Sequence, residues 1–437
     1  MMNLKIRQLS TTDRQFDEEF SQILQRGVEF THETDQIVAD IISRVRNEGD
    51  YALLELTKRF DSSDVDSMTD LEIDADELES AAVRIEPELR EAIIVAADRI
   101  RRFHTRQIEQ SWVYEEEFGS RLGQKLTAIQ TVGIYVPGGK AAYPSSVLMT
   151  ALPARVAGVN EITMTVPAPG GEIKDSVLAA AHIAGVDRVF TIGGAQAVAA
   201  LAFGTQTVPK VDKIVGPGNT WVSSAKRQVF GYVGIDIVAG PSEVVVACDE
   251  STNAEWAAMD MFAQAEHDDD AQSILLSLSQ DKLDEVRDCM QNMLPKMERN
   301  LTIANSLAKH GALVHVRNCE ELVAVIDRVA PEHLGLMLEN AEEIAQMVRN
   351  AGAIFIGSDS AEVLGDYCAG PNHVLPTSGS ARFSSPLGVY DFVKRTSIIH
   401  CSREGSRELA KTASILAREE QLTAHARSAE YRYLDNA

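Results

Sequence analysis

Long apolar runs are missing from these 437 residues. No stretch approaches the roughly eighteen uninterrupted apolar positions of a membrane span, so none is read. The first residues, Met1 to Arg7, have no apolar segment behind them, so no signal peptide is read. Cysteine is scarce. Cys248, Cys289, Cys319, Cys368 and Cys401 are odd in number, far apart and without a C-x-x-C pair, which fits thiols in a reducing cytoplasm. Basic charge is short: 41 Lys and Arg stand against 65 Asp and Glu, a net charge of −24. That balance argues against a nucleic-acid partner, whose phosphates need a basic surface. It agrees with a cationic small substrate, though chiefly it serves solubility. A complete G-x-G-x-x-G fingerprint is also absent, so a standard dinucleotide fold is not licensed.

What is present is an ordinary globular composition, 45% hydrophobic and 24% charged. The length allows about two to four domains with a sizeable core. Residues 1–30 predict a helical arm, with Phe16, Phe20, Ile23 and Leu24 at helical spacing. A stripe of Ile37, Val38, Ile41, Ile42 and Val45 predicts a helix that Gly49 stops. Helices follow over 50–60 and 74–107, the latter broken at Pro87. From Leu126 to Val136 the period changes and strand is predicted. Strands are then expected at 161–166, 188–192, 213–215, 235–238 and 243–248, with helices between. After Asp249 the rhythm resumes, with strands at 272–278, 312–316, 335–338 and 353–357. Such βαβ alternation implies mostly parallel sheets. The residues from Leu387 read as a charged helical arm. The predicted fold class is α/β: two consecutive Rossmann-like α/β domains, incomplete and without the fingerprint, with helical N- and C-terminal arms.

Three glycine loops stand where a strand hands over to a helix: Tyr135 to Lys140, Ile192 to Gln196 and Val215 to Asn219. Glycine permits close backbone approach, and a helix N-terminus favours anions. Together these loops could hold a dinucleotide at the carboxyl ends of parallel strands. Gln264 and His267 are spaced i, i+3, which on a helix places an amide oxygen and an imidazole on one face. Such a pair can grip a divalent metal, zinc fitting best. Taken alone it is more simply a helix end. Pro331-Glu332-His333-Leu334 sets a carboxylate beside an imidazole, suited to acid–base work. The loop from Gly365 to Thr377 is too rich in Gly, Pro, Asn and His for a core element. Glu420 to His425 forms a last cluster.

These segments, in this order from about 130 to 425, resemble the histidinol dehydrogenase family. They include Gly216-Pro217-Gly218-Asn219, Ala239-Gly240-Pro241-Ser242-Glu243, Gln264-Ala265-Glu266-His267-Asp268 and Asn372-His373-Val374-Leu375-Pro376-Thr377. The resemblance implies oxidation of L-histidinol, through L-histidinaldehyde, to L-histidine with two NAD. It implies one Zn²⁺ per subunit, held by Gln264, His267, Asp366 and His425. Glu332 and His333 would be the catalytic pair. Ser242, His373 and Glu420, with Gln264, His267, His333, Asp366 and His425, would surround the substrate. Tyr135, Gln196 and Asn219 would contact NAD. It further implies a cytoplasmic homodimer whose C-terminal arm completes the partner's site, with no nucleic acid or membrane. The expected domains are an arm at 1–30, a metal and catalytic unit of 31–133 plus 243–386, an NAD unit at 134–242, and an arm at 387–437. Ala330 departs from a position where glycine often stands. Another NAD-dependent alcohol or aldehyde dehydrogenase of the same fold is the alternative. A thioester route through Cys368, a zinc hydrolase and a non-catalytic binding protein are the remaining readings.

Overall fold

The computed structural model describes residues 4–25, 31–61, 65–138 and 142–433. In chain order, strand β1 (Arg7–Ser10) leads into helix α1 (Phe16–Leu24). Helices α2 (His32–Glu48) and α3 (Asp50–Asp61), strand β2 (Glu72–Ile73), and helices α4 (Ala75–Arg84) and α5 (Pro87–Thr105) follow. Then come β3 (Trp112–Glu115), β4 (Arg121–Ala128), β5 (Thr131–Tyr135), α6 (Pro144–Ala157), β6 (Glu161–Thr165) and α7 (Asp175–Ala184). The first α/β unit closes with β7 (Arg188–Phe190), α8 (Gly194–Phe203), β8 (Lys213–Val215), α9 (Thr220–Val229) and β9 (Gly234–Ile235). The second runs through β10 (Glu243–Cys248), α10 (Ala254–Ala265), β11 (Gln272–Ser277), α11 (Gln280–Met293), α12 (Asn300–His310) and β12 (Ala312–His315). It ends with α13 (Cys319–Val329), β13 (His333–Met337), α14 (Ala341–Met347), β14 (Ala353–Ile356) and α15 (Glu362–Tyr367). Last are β15 (Val393–His400), α16 (Arg403–Glu419) and α17 (Thr423–Glu430).

The first sheet has the order β2-β7-β6-β5-β8-β9, parallel except at the antiparallel β2 edge. The second has the order β1-β12-β11-β10-β13-β14 and is parallel throughout. Each sheet is covered on both faces, which is why its strands read as continuous apolar runs such as Val244-Val245-Val246. In each, the chain winds outward one way and then the other. The reversal falls between β5 and β8 in the first sheet and between β10 and β13 in the second. At such a switch point neighbouring loops diverge and leave a crevice.

Three segments are placed only by the tertiary structure. The N-terminal segment holds the expected helix α1 and a strand before it. β1 pairs with β12 at the sheet edge, and Phe16, Phe20 and Ile23 are buried in the second unit's core. The apolar faces of helices α2 to α5 pack on the first sheet and its helices, while Arg99 on α5 also donates to the Cys368 and Ala369 carbonyls. The segment after Leu387 is not all helix. β15 pairs antiparallel along its length with β4, which also pairs with β3, in a separate three-stranded sheet. That sheet is largely exposed, so its strands carry no one-faced apolar alternation to be read. Residues 26–30 of the expected arm, 139–141 of the first glycine loop and 434–437 of the last arm lie outside the described residues.

Candidate active site

The three glycine loops converge at the carboxyl end of the first sheet. Tyr135 ends β5, Gly193-Gly194 opens α8, and Gly216 follows β8. The Tyr135 hydroxyl is buried, is pushed up to about 12 by that burial, and accepts the Gly194 N–H at 3.2 Å. Gly193 N–H donates to buried Asp61 at 3.3 Å. Gly216 has φ 112°, and a Cβ there would stand 2.1 Å from the Tyr135 carbonyl oxygen, so only glycine lets β8 end so close to β5. Gln196 is 2% exposed with Nε2 lacking a partner, and Asn219 Oδ1 caps α9 by accepting Val222 N–H at 3.1 Å.

The second group gathers at the amino ends of the second sheet. There β10 begins at Glu243 and β13 at His333, with Val244 beside His333 in the register. Ala330 closes α13 in the left-handed region at φ 50°, and Pro331 prevents the helix from continuing, so Glu332 and His333 enter the strand directly. Glu332 is buried and accepts the Glu243 N–H at 2.9 Å. Burial pushes its carboxyl up to about 8, against the pull of His333. The His333 Nδ1 lies 3.1 Å from the Glu243 carbonyl oxygen and 3.7 Å from both Glu332 and Glu362, while Nε2 is 3.4 Å from Asp366. Burial alone would lower the imidazole. The carboxylates of Glu362, Glu332 and Asp366 outweigh it and raise His333 well above its ordinary value.

Glu362 and Asp366 are i, i+4 on α15 and so share a face. Burial raises Glu362 to about 8. Burial would also raise Asp366, but His333, His373 and His267 draw it below its usual range. His373 sets Nδ1 2.8 Å from the Asp366 carbonyl oxygen, and burial lowers its imidazole. His267 lies just past the end of α10, its N–H bonded to the Gln264 carbonyl at 3.2 Å, so one last turn keeps both residues on one side. His267 is exposed at the surface, yet partial desolvation by neighbouring protein lowers its imidazole, against the pull of Asp366 and Glu266 and with the repulsion of His333. Ser242, half-buried, precedes β10, and its carbonyl accepts the Gln272 N–H at 2.9 Å.

Gln264 is 0% exposed, and neither its oxygen nor its nitrogen has a partner. A buried amide without partners is costly, and its persistence one turn from His267 fits a ligand that supplies the missing bond. Among the described residues, His333, Glu362 and Asp366 also form one group with ligand atoms within 4.8 Å of one another. So many acids about three imidazoles suit a divalent cation or a protonated amine. A cavity of about 520 Å³ opens on His333, Asp366 and His373, with Phe355, Leu387 and Tyr390 along its wall.

His267, Glu332, His333, Asp366 and His373 are thus brought together, with Gln264 one turn before His267. His425 and Glu420 are not. Both are exposed, α17 packs on α16, and among the described residues neither forms a hydrogen bond or ion pair with the group. Cys368 packs against the core of the first unit, which removes support from a thioester route. Glu362 and Asp260, the latter raised to about 6 by burial one turn before Gln264, were missed by sequence reasoning. The i, i+4 spacing of Glu362 and Asp366 was the available signal for the first.

A glycine cradle at the first switch point and an acid–imidazole pocket at the amino ends of β10 and β13 define an α/β oxidoreductase of two Rossmann-like units. No helix among the described residues is long and apolar enough to cross a membrane. The histidinol dehydrogenase family profile matches residues 24–433. A histidinol dehydrogenase of Nitrosomonas europaea is 57% identical over 430 residues, covering 98% of this chain and 100% of the relative. One from Pseudomonas aeruginosa is also 57% identical, covering 98% of each. The crystal structure of histidinol dehydrogenase from Elizabethkingia anophelis superposes with a TM-score of 0.92, at 33% identity, over 99% of each chain. The chain belongs to the histidinol dehydrogenase family.

Proposed function

We propose that the chain oxidises L-histidinol to L-histidine through L-histidinaldehyde, using two NAD and one zinc ion per subunit. The observation that supports this reading is the cluster of the buried Glu332–His333 pair with Glu362 and Asp366, coupled electrostatically to His267, with the unpartnered buried amide of Gln264 one turn before His267. Gln264, His267 and Asp366 would hold the metal, whose chemistry is to orient the amine and imidazole of the substrate. NAD would accept hydride, with Tyr135, Gln196 and Asn219 framing its site at the first switch point. Residues 134–242 would be the nucleotide unit, and 243–386 would supply the catalytic groups.

His333 takes the proton of the alcohol as hydride leaves. Its three neighbouring carboxylates stabilise the imidazolium that forms, and since they raise the imidazole well above its ordinary value, the neutral base this step needs is present on the alkaline side of neutrality. Glu332, raised to about 8, is ionised on the alkaline side of that value and then removes a proton from water as it adds to the aldehyde. His333 then assists oxidation of the hydrate. His373 borders the pocket, and Ser242, just before β10, would join it in contacting substrate polar groups. The wall that includes Phe355 and Leu387 limits water access, which keeps the aldehyde from side reactions.

The C-terminal arm completes the reading. α16 and α17 expose Leu409, Ile415, Leu416 and Leu422, an apolar surface that a second copy would cover. His425 and Glu420 would then complete the partner subunit's site, in a two-fold dimer. Unpaired cysteines support a cytoplasmic location. The experiment is an assay with histidinol, NAD and Zn²⁺, followed by NADH absorbance, against a chelated control. Two NADH for each histidine is expected. Histidinol consumption without NADH would overturn the proposal.

A further inference from the structure

Beneath the Gly216 loop lies an ion pair with no part in the chemistry above. Lys226 on α9 and Asp236 just after β9 form a salt bridge, each side chain 2% exposed. Both also bind the same glycine. Asp236 Oδ2 accepts the Gly216 N–H at 2.7 Å, and the Lys226 ammonium donates to the Gly216 carbonyl at 2.8 Å. Burying two charges costs much of what their attraction returns, and apolar residues of similar volume often serve stability equally well. The use of this pair is geometric. β8 ends at Val215, so the sheet ladder does not hold Gly216, and its backbone is in the left-handed region.

The pair also roots the link between units. Asp236 N–H bonds to the Ile214 carbonyl at 3.3 Å, and the chain runs on through Ala239, whose carbonyl accepts from Ser223 Oγ at 3.3 Å. Gly240 N–H reaches Thr377 Oγ1 at 2.6 Å, and Glu243 N–H reaches Glu332. One continuous run of contacts therefore joins the glycine loop to the catalytic carboxylate.

We infer that Lys226 and Asp236 are positioning residues that clamp both backbone groups of Gly216, preforming the dinucleotide cradle. This rests on the reading that the first switch point takes NAD. With the clamp gone, the loop must be ordered at the moment of binding, and affinity for the nucleotide falls while the distant Gln264–His267–Asp366 pocket is untouched.

The test compares the full-length wild type with Lys226→Met/Asp236→Leu, which replaces the pair by apolar side chains of similar size. NAD and histidinol affinities are measured by calorimetry on the zinc-loaded proteins, with circular dichroism for folding. NAD affinity is expected to fall on the order of 10- to 100-fold, the range for lost supporting contacts to a site, with histidinol affinity within about twofold. Equal NAD affinity in the folded variant would overturn the inference alone. Absence of NAD binding in the wild type would overturn the dehydrogenase reading and this inference with it. If the double variant does not fold, Asp236→Asn keeps the shape and removes the charge. It should show the same selective loss, together with faster amide hydrogen exchange over residues 214–219. Unchanged affinity and exchange in that variant would equally overturn the clamp.

Discussion

Replacing Gln264 by leucine should stabilise the metal-free protein and destroy its metal site. Leucine is close in volume, and the position is 0% exposed, packed within α10 against the second core. The amide it replaces has two polar atoms without partners. Protein mutational data put an unsatisfied buried polar group at about 1–3 kcal/mol, so Gln264→Leu should recover roughly that amount. For a unfolding unit of roughly 200 residues, each kcal/mol moves the midpoint by about 2–4 °C. Thermal unfolding in a chelator should therefore place the variant above the wild type by a few degrees. Saturating Zn²⁺ should reverse the order, because metal binding stabilises only a folded state that can hold it. Calorimetric titration with Zn²⁺ supplies the second reading, with affinity in the variant lower by at least an order of magnitude. A variant less stable than wild type in the chelator would refute the reasoning, since the amide would then have a partner worth keeping.

Other outcomes follow from the same geometry. Glu332→Gln should cut oxidation of histidinaldehyde by about 10²–10⁴ and spare the alcohol step, while His333→Asn slows both; equal damage to both steps by Glu332→Gln would refute the division. Stability of the metal-free protein should fall as pH rises. Glu332 and Glu362 are raised from 4.5 to about 8, so their favourable contribution is complete below 4.5 and is lost as pH climbs through 8. Denaturant titrations from pH 5 to 9 check this, and a stability that rises across that window would refute it. Mixing His333→Asn with His425→Asn, each inactive alone, should restore about a quarter of wild-type sites if arms are exchanged in a two-fold dimer. Confirmed heterodimers without activity would remove the shared site.

Much of the molecule is legible in the chain itself. The period change near Leu126, the βαβ rhythm and the glycine loops at strand ends are local signals, set by side-chain alternation and backbone freedom. Gln264 with His267, and Glu332 with His333, are also local, since neighbours within one turn or along one backbone need no distant partner to be brought together. Partners far apart in the chain are different. The pairing of β1 with β12, and of β15 with β4, joins segments about 300 and 270 residues apart by backbone hydrogen bonds that carry little side-chain signature. Only the tertiary structure places α2 to α5 on the first sheet, because an amphipathic stripe states that a face is buried and not against what. It alone puts the Glu332–His333 pair at the amino end of β13, opposite in sense to the glycine cradle. And it alone brings Glu362 against His333 and seats Lys226 and Asp236 under Gly216, because a charged residue is read as surface until packing removes its water.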